Sequence, residues 1–99
     1  MTFREAGVAA FEELFEQTKD DIRNFPGCMH LELWKAQDTE TVFFTFSIWQ
    51  DVMALEDYRH SNLFRQTWAQ TKPLFAEKAQ AWSLDLVNQP PQKSGINFD

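Results

Sequence analysis

The sequence predicts an α+β sandwich in which helices cover one face of an antiparallel sheet. Apolar residues recur at three- and four-residue steps near the start and again in the second half, they alternate over three short segments, and proline and glycine punctuate the change of period. After a stub at Met1 to Arg4 the order reads helix, strand, strand, helix, helix, strand, which fits a split βαβ topology.

From Glu5 to Asn24, Val8, Phe11, Phe15, Ile22 and Phe25 recur at three- and four-residue steps and their sums with charged residues between them, and Pro26-Gly27 ends the helix. Cys28 to Lys35 alternates, with Met29, Leu31 and Leu33 on one face and Cys28, His30, Glu32 and Trp34 on the other. A polar loop, Ala36 to Thr41, leads to a second strand, Val42 to Trp49. Its set Val42, Phe44, Phe46, Ile48 is wholly apolar, and its set Phe43, Thr45, Ser47, Trp49 is mixed. Asp51 is a suitable N-cap for a short helix over Val52 to Arg59, and Ser61 for the next. That helix carries Leu63, Phe64, Trp68, Leu74 and Phe75, with Pro73 expected to kink or restart it. Trp82 to Val87 alternates again as a final strand. A single domain over 1–87 is expected, with 88–99, containing Pro90-Pro91 and Ser94-Gly95, as an extension.

The 99 residues hold 9 Lys and Arg against 15 Asp and Glu, a formal charge of −6. This balance argues against a nucleic-acid or anionic-membrane partner, since phosphate contact needs clustered cations. One cysteine makes no internal disulfide, and no apolar run is long enough to span a bilayer, so the cytoplasm is the expected location. With 10 Phe and 4 Trp, the chain has more aromatic surface than one small core readily hides. The strand Val42 to Trp49 is apolar on both sides while all the helices fit on one, so a second copy is the economical cover and a homodimer is expected.

Phe25-Pro-Gly-Cys28 at the first turn, Phe44-Thr-Phe-Ser-Ile-Trp49, and Ala54-Leu-Glu-Asp-Tyr-Arg-His-Ser-Asn-Leu-Phe64, together with Trp68 and Trp82, resemble the antibiotic biosynthesis monooxygenase family. The likeness spans about Phe3 to Val87 and is a pattern of aromatics and turns rather than a catalytic signature. It implies a ferredoxin-like sandwich that pairs into a dimeric α+β barrel. Family members usually begin with a full strand, and here only Met1 to Arg4 stands in that place. Either the native start lies upstream, or another segment such as Ile96 to Phe98 completes the sheet.

The resemblance implies oxidation of a quinol-like or polycyclic aromatic substrate by O₂ with no metal or flavin, while another branch of the family degrades heme. The chain also lacks the ligand spacings and glycine fingerprints that iron, heme, flavin or nicotinamide would require. Oxidation of a small aromatic, quinol-like substrate is expected here. Such a reaction needs a base and a dry pocket. His30 and His60 are the candidate bases, histidine being the residue whose ordinary titration lies near neutrality. Trp49, Tyr58, Phe64 and Trp68 are the candidate substrate-binding walls. Each has a plainer alternative: a hydrogen-bonded strand histidine, a helix-capping histidine, and aromatics that fill core. A heme-degrading relative would place tryptophan at Tyr58 and histidine at Trp68, and neither is present. Cys28, His30 and Glu32 on one strand face imitate a metal triad, without any HExxH or CxxC spacing to support it. The alternative to an enzyme is a non-catalytic dimeric module of the same fold that binds a small apolar ligand or serves as a scaffold.

Overall fold

The computed structural model describes residues 1–90. A single 3₁₀ turn at Glu5–Gly7 leads into helix α1 (Val8–Arg23), followed by strands β1 (Cys28–Lys35) and β2 (Phe43–Trp49), helices α2 (Val52–Arg59) and α3 (Asn62–Thr71), and a 3₁₀ turn at Lys72–Leu74. The two strands pair antiparallel from Lys35 opposite Phe43 to Cys28 opposite Trp49. The caps are those expected from sequence. The Asp51 carboxylate accepts from the Ala54 amide at 2.8 Å, and the Ser61 hydroxyl accepts from the Phe64 amide at 3.1 Å. Pro73 ends α3 and opens the final turn, where its missing amide costs nothing.

The N-terminal stub occupies a central place in the layer of extended chain. On one side the Phe43 amide donates to the Met1 carbonyl at 2.8 Å and the Phe3 amide to the Thr41 carbonyl at 2.9 Å. On the other side the Arg4 amide donates to Leu74 at 3.0 Å and the Ala76 amide to Thr2 at 2.8 Å. The stub thereby delivers Phe3, 1% exposed, into the core. Its ring stacks on Phe11 at 4.2 Å and meets Phe43 and Phe75 at 5.8 and 5.1 Å.

Two sequence expectations are corrected. Trp82 to Val87 forms no strand; the segment has no secondary structure, and Trp82, Leu84, Leu86 and Val87 are exposed. The stub offers hydrogen-bonding partners only as far as Glu77, so the residues beyond have no neighbouring strand among the described residues. The second correction is at the start of β1, where a bulge between Cys28 and His30 breaks the alternation. Cys28 turns inward beside Trp49 and is buried, while His30 points to the opposite face beside Ile48. The proposed stand-in strand Ile96 to Phe98 lies outside the described residues.

Gly27 makes the turn from α1 to β1 at a φ of +87°. Its carbonyl accepts from the Gln50 amide at 2.7 Å, and a Cβ there would sit 2.4 Å from the Ala54 side chain of α2. Gly27→Ala therefore meets both left-handed backbone strain, about 1–2 kcal/mol, and a clash with a helix. A drop in Tm of roughly 5–15 °C is expected in a thermal melt, given ~4–8 °C per kcal/mol for a domain of this size.

Candidate functional site

The layer of helices and the sheet do not close on each other completely. Between them lies a cavity of about 160 Å³, open to solvent on the side of Thr45 and Ser47. Helix α1 contributes Phe11, Leu14, Phe15, Thr18 and Ile22, its inward stripe. The sheet contributes Leu31, Thr45, Ser47 and Trp49. Tyr58 comes from α2, and α3 adds Phe64, Thr67, Trp68 and Thr71. The mixed face of β2 thus turns toward the helices, and the wholly apolar one turns away. Phe44, Phe46 and Ile48, with Trp34 of β1, lie on an uncovered outer face, each about half exposed.

The four aromatics expected to bind substrate are brought together as one belt. Trp49 stacks on Tyr58 at 4.9 Å, the edge of Phe64 meets Tyr58 at 5.2 Å, and Trp68 stacks on Phe64 at 6.0 Å. Phe25 braces the first pair with edge contacts at 6.2 and 5.4 Å. No side chain lining the cavity carries a charge.

The two histidines are placed elsewhere. His30 lies on the outer face, its Nε2 against the Glu32 carboxylate and its ring 6.1 Å from Phe46. His60 follows the last residue of α2, where Nδ1–H donates to the Glu56 carbonyl at 2.8 Å and the ring is largely in solvent. Neither lines the cavity. The bulge that turns Cys28 inward also separates it from His30 and Glu32, so the sequence-level metal triad does not assemble. No group of three or more His, Cys, Asp and Glu side chains suited to a metal ion occurs among the described residues.

Sequence reasoning missed the hydroxyl groups. Thr18 and Thr71 donate to the helix carbonyls of Leu14 and Thr67 at 2.9 and 2.7 Å, and Ser47 accepts from Trp49 Nε1 at 3.0 Å. Thr45, Thr67 and Tyr58 also line the space, Thr45 at its exposed edge. The signal was present. Thr45 and Ser47 alternate with the apolar set on the same face as Trp49, and Phe64, Thr67, Trp68 and Thr71 share a helical stripe.

Burial pushes the Tyr58 phenol up to about 12, with the nearby Cys28 charge adding to the effect. Tyr58 is thus a hydrogen-bond donor throughout the neutral range. It is also the chain's single tyrosine, which makes its titration directly readable. Phenolate absorbance near 295 nm is expected to rise with a midpoint near 12 in the folded protein and near 10 once unfolded. Because the folded value is the higher one, stability is unaffected below pH 10 by this group and declines as pH rises from about 10 to 12. A folded-state midpoint near 10 would show that the ring is open to water.

No curated protein matches the chain. Among solved structures, one described as an antibiotic biosynthesis monooxygenase superposes with a TM-score of 0.82 at 16% identity, covering 88% of this chain and 92% of that one. Rv0793 from Mycobacterium tuberculosis superposes with a TM-score of 0.74 at 20% identity, covering 88% and 91%. A conserved protein from Methanosarcina mazei Go1 superposes with a TM-score of 0.74 at 13% identity, covering 78% and 76%. At these identities the superpositions show a shared α+β fold and nothing about chemistry. The antibiotic biosynthesis monooxygenase family model matches residues 1–70, most of the described chain and every residue of the cavity lining except Thr71, and on that match the chain belongs to the antibiotic biosynthesis monooxygenase family.

Proposed function

We propose that the protein is a cofactor-independent monooxygenase acting with O₂ on a small aromatic or quinol-like substrate held in the cavity between the sheet and the helices. The observation that carries this reading is the belt Trp49, Tyr58, Phe64, Trp68 around an uncharged, hydroxyl-edged space. In the simplest case a phenol gains one oxygen atom from O₂ on its ring and becomes a quinone. The second oxygen leaves as water with the phenolic and ring hydrogens, and the substrate supplies all four electrons. The belt offers flat faces to the ring, and the hydroxyls of Tyr58, Thr45 and Thr67 orient its oxygen. His30 and His60 are the candidate bases. Because both stand outside the cavity lining, a base role for either requires a proton path through water or through a second copy.

The reading includes a homodimer. The outer face of the sheet carries Trp34, Phe44, Phe46 and Ile48 with no helix over it, and its charged group is Glu32, in contact with His30. Two such faces would bring together mostly apolar side chains, with Glu32 of each copy held against its own His30. No helix of the described residues is long and apolar enough to cross a membrane. A cytoplasmic protein is the reading that goes with the lone buried cysteine.

The test is oxygen uptake with a panel of phenols, quinols and naphthols, run before and after dialysis against a chelator. Uptake that survives chelation, and falls at least tenfold in Tyr58→Phe or Trp49→Ala, supports the enzyme. Substrate-independent uptake, or binding of the panel with no uptake, leaves the non-catalytic ligand-binding dimer as the better description. His30→Ala and His60→Ala, assayed alongside, assign the base: a loss of uptake with unchanged binding identifies it.

A further inference from the structure

We propose that the contact between two copies is proton-linked: each outer sheet face enters it with His30 and Glu32 sharing one proton, so the dimer is tightest in mildly acidic solution and loosens as the solution turns alkaline. This rests on the reading of that face as the dimer contact and adds its regulation.

The pair stands in the middle of the face. The register sets His30, Glu32 and Trp34 of β1 opposite Ile48, Phe46 and Phe44 of β2. His30 Nε2 meets the Glu32 carboxylate, and the imidazole ring lies 6.1 Å from the ring of Phe46. The two side chains are 45% and 36% exposed, so in the single chain both still reach water. Neither lines the cavity.

Glu32 has one counter-charge among the elements packed around it. Strand β2 brings Phe44, Phe46 and Ile48 to this face and no ionisable group. Lys35 alternates to the other side of β1 and pairs with Glu40 at 3.0 Å. Helix α1 packs on the cavity side, where its Arg23 donates to the Cys28 carbonyl at 2.7 Å. The Met1 amino group, whose pKa burial lowers, also borders the cavity and donates to the Phe43 carbonyl at 2.8 Å. A second copy in a two-fold contact supplies the same set of groups. Around the pair, the exposed Trp34, Phe44, Phe46 and Ile48 make the rest of the patch apolar. Such a face complements itself once the pair is neutral.

The proton count follows from desolvation. A carboxylate shut into an apolar contact beside a neutral imidazole is an uncompensated charge, and a doubly protonated pair is another; both are costly. With one proton the pair is neutral whichever partner holds it. Glutamate ordinarily titrates near 4.3 and histidine near 6.5. Above the upper value an exposed pair of this kind holds no proton, so the contact must take up one per copy. Below the lower value it holds two and must release one. The dimer is therefore favoured between these values, and above them its dissociation constant rises by up to about a hundredfold per pH unit, for two protons per dimer.

The experiment is sedimentation velocity of the full chain over a concentration series at about pH 5.5, 7.0 and 8.5, in about 0.3 M NaCl to screen the general acidity of the chain. The dissociation constant is expected to be at least tenfold higher at the most alkaline pH than at the most acidic. Glu32→Gln removes the charge that the proton offsets, and this variant is expected to stay dimeric with no such response, which separates the pair from the Met1 amine. His30→Gln leaves Glu32 alone and is expected to weaken the dimer at least tenfold at neutral pH, moving the response down into the carboxylate range. Circular dichroism confirms that each variant is folded. A parent dimer whose dissociation constant changes less than threefold across the series, or a Glu32→Gln variant with the parent's response, overturns the proposal and leaves the dimer standing. A parent that is monomeric at every pH overturns both.

Discussion

Phe3→Ala is expected to destabilise the protein by about 3–5 kcal/mol, the range for emptying a buried phenylalanine site. The ring is 1% exposed and touches three other phenylalanines, from α1, β2 and the chain after α3. Their positions are set by backbone hydrogen bonds on both sides of the stub, so the walls have little freedom to collapse into the space. Since small domains are stable by only ~5–15 kcal/mol in total, this one truncation removes a large share. Urea denaturation followed by far-UV circular dichroism measures it. A loss under about 1.5 kcal/mol, the scale of a single buried methylene or two, would mean that the stub is not part of the cooperative core.

Phe46→Glu is expected to convert a homodimer into a monomer while leaving the fold and the cavity intact. Phe46 lies on the outer face opposite Glu32, about half exposed in the single chain, with no helix above it. In the single chain a glutamate there stays hydrated, and losing the half-buried ring and facing Glu32 across the ladder cost about 1 kcal/mol. In a face-to-face dimer the same carboxylate meets its symmetry mate and the Glu32 of each copy in a desolvated apolar patch, a loss of several kcal/mol. Sedimentation velocity at micromolar concentration reads the outcome. A parent protein that sediments as a monomer, or a variant that stays dimeric, would place the association on another surface.

The local structure was legible from the residues because its causes are local. Asp51 and Ser61 cap α2 and α3 as their side chains dictate, Gly27 makes the one turn that needs a positive φ, and the hydrophobic spacing of α1 fixes its inward face. The belt of Trp49, Tyr58, Phe64 and Trp68 was also within reach, because large aromatics on adjoining stripes of a strand and two helices have few other places to go. The histidines were not. Residue type names them as bases, but His30 keeps step with Glu32 and Trp34 on the sheet face that the helices leave uncovered, and the bulge at Met29 takes only Cys28 out of that step.

The residues alone were enough for an acidic α+β domain, its helices and caps, the two central strands, and the aromatic character of the site. Which face of β2 meets the helices emerged with the packing of the whole chain, and it is the face with Thr45 and Ser47 rather than the wholly apolar one. That packing also left Trp82 to Val87 without a strand to pair with, although their alternation satisfies every local rule for one. The physical reason is the same in both cases. Alternation and propensity are properties of a residue and its neighbours, whereas the choice of face and the existence of a ladder depend on a distant segment arriving to cover or to pair, which the local code does not contain.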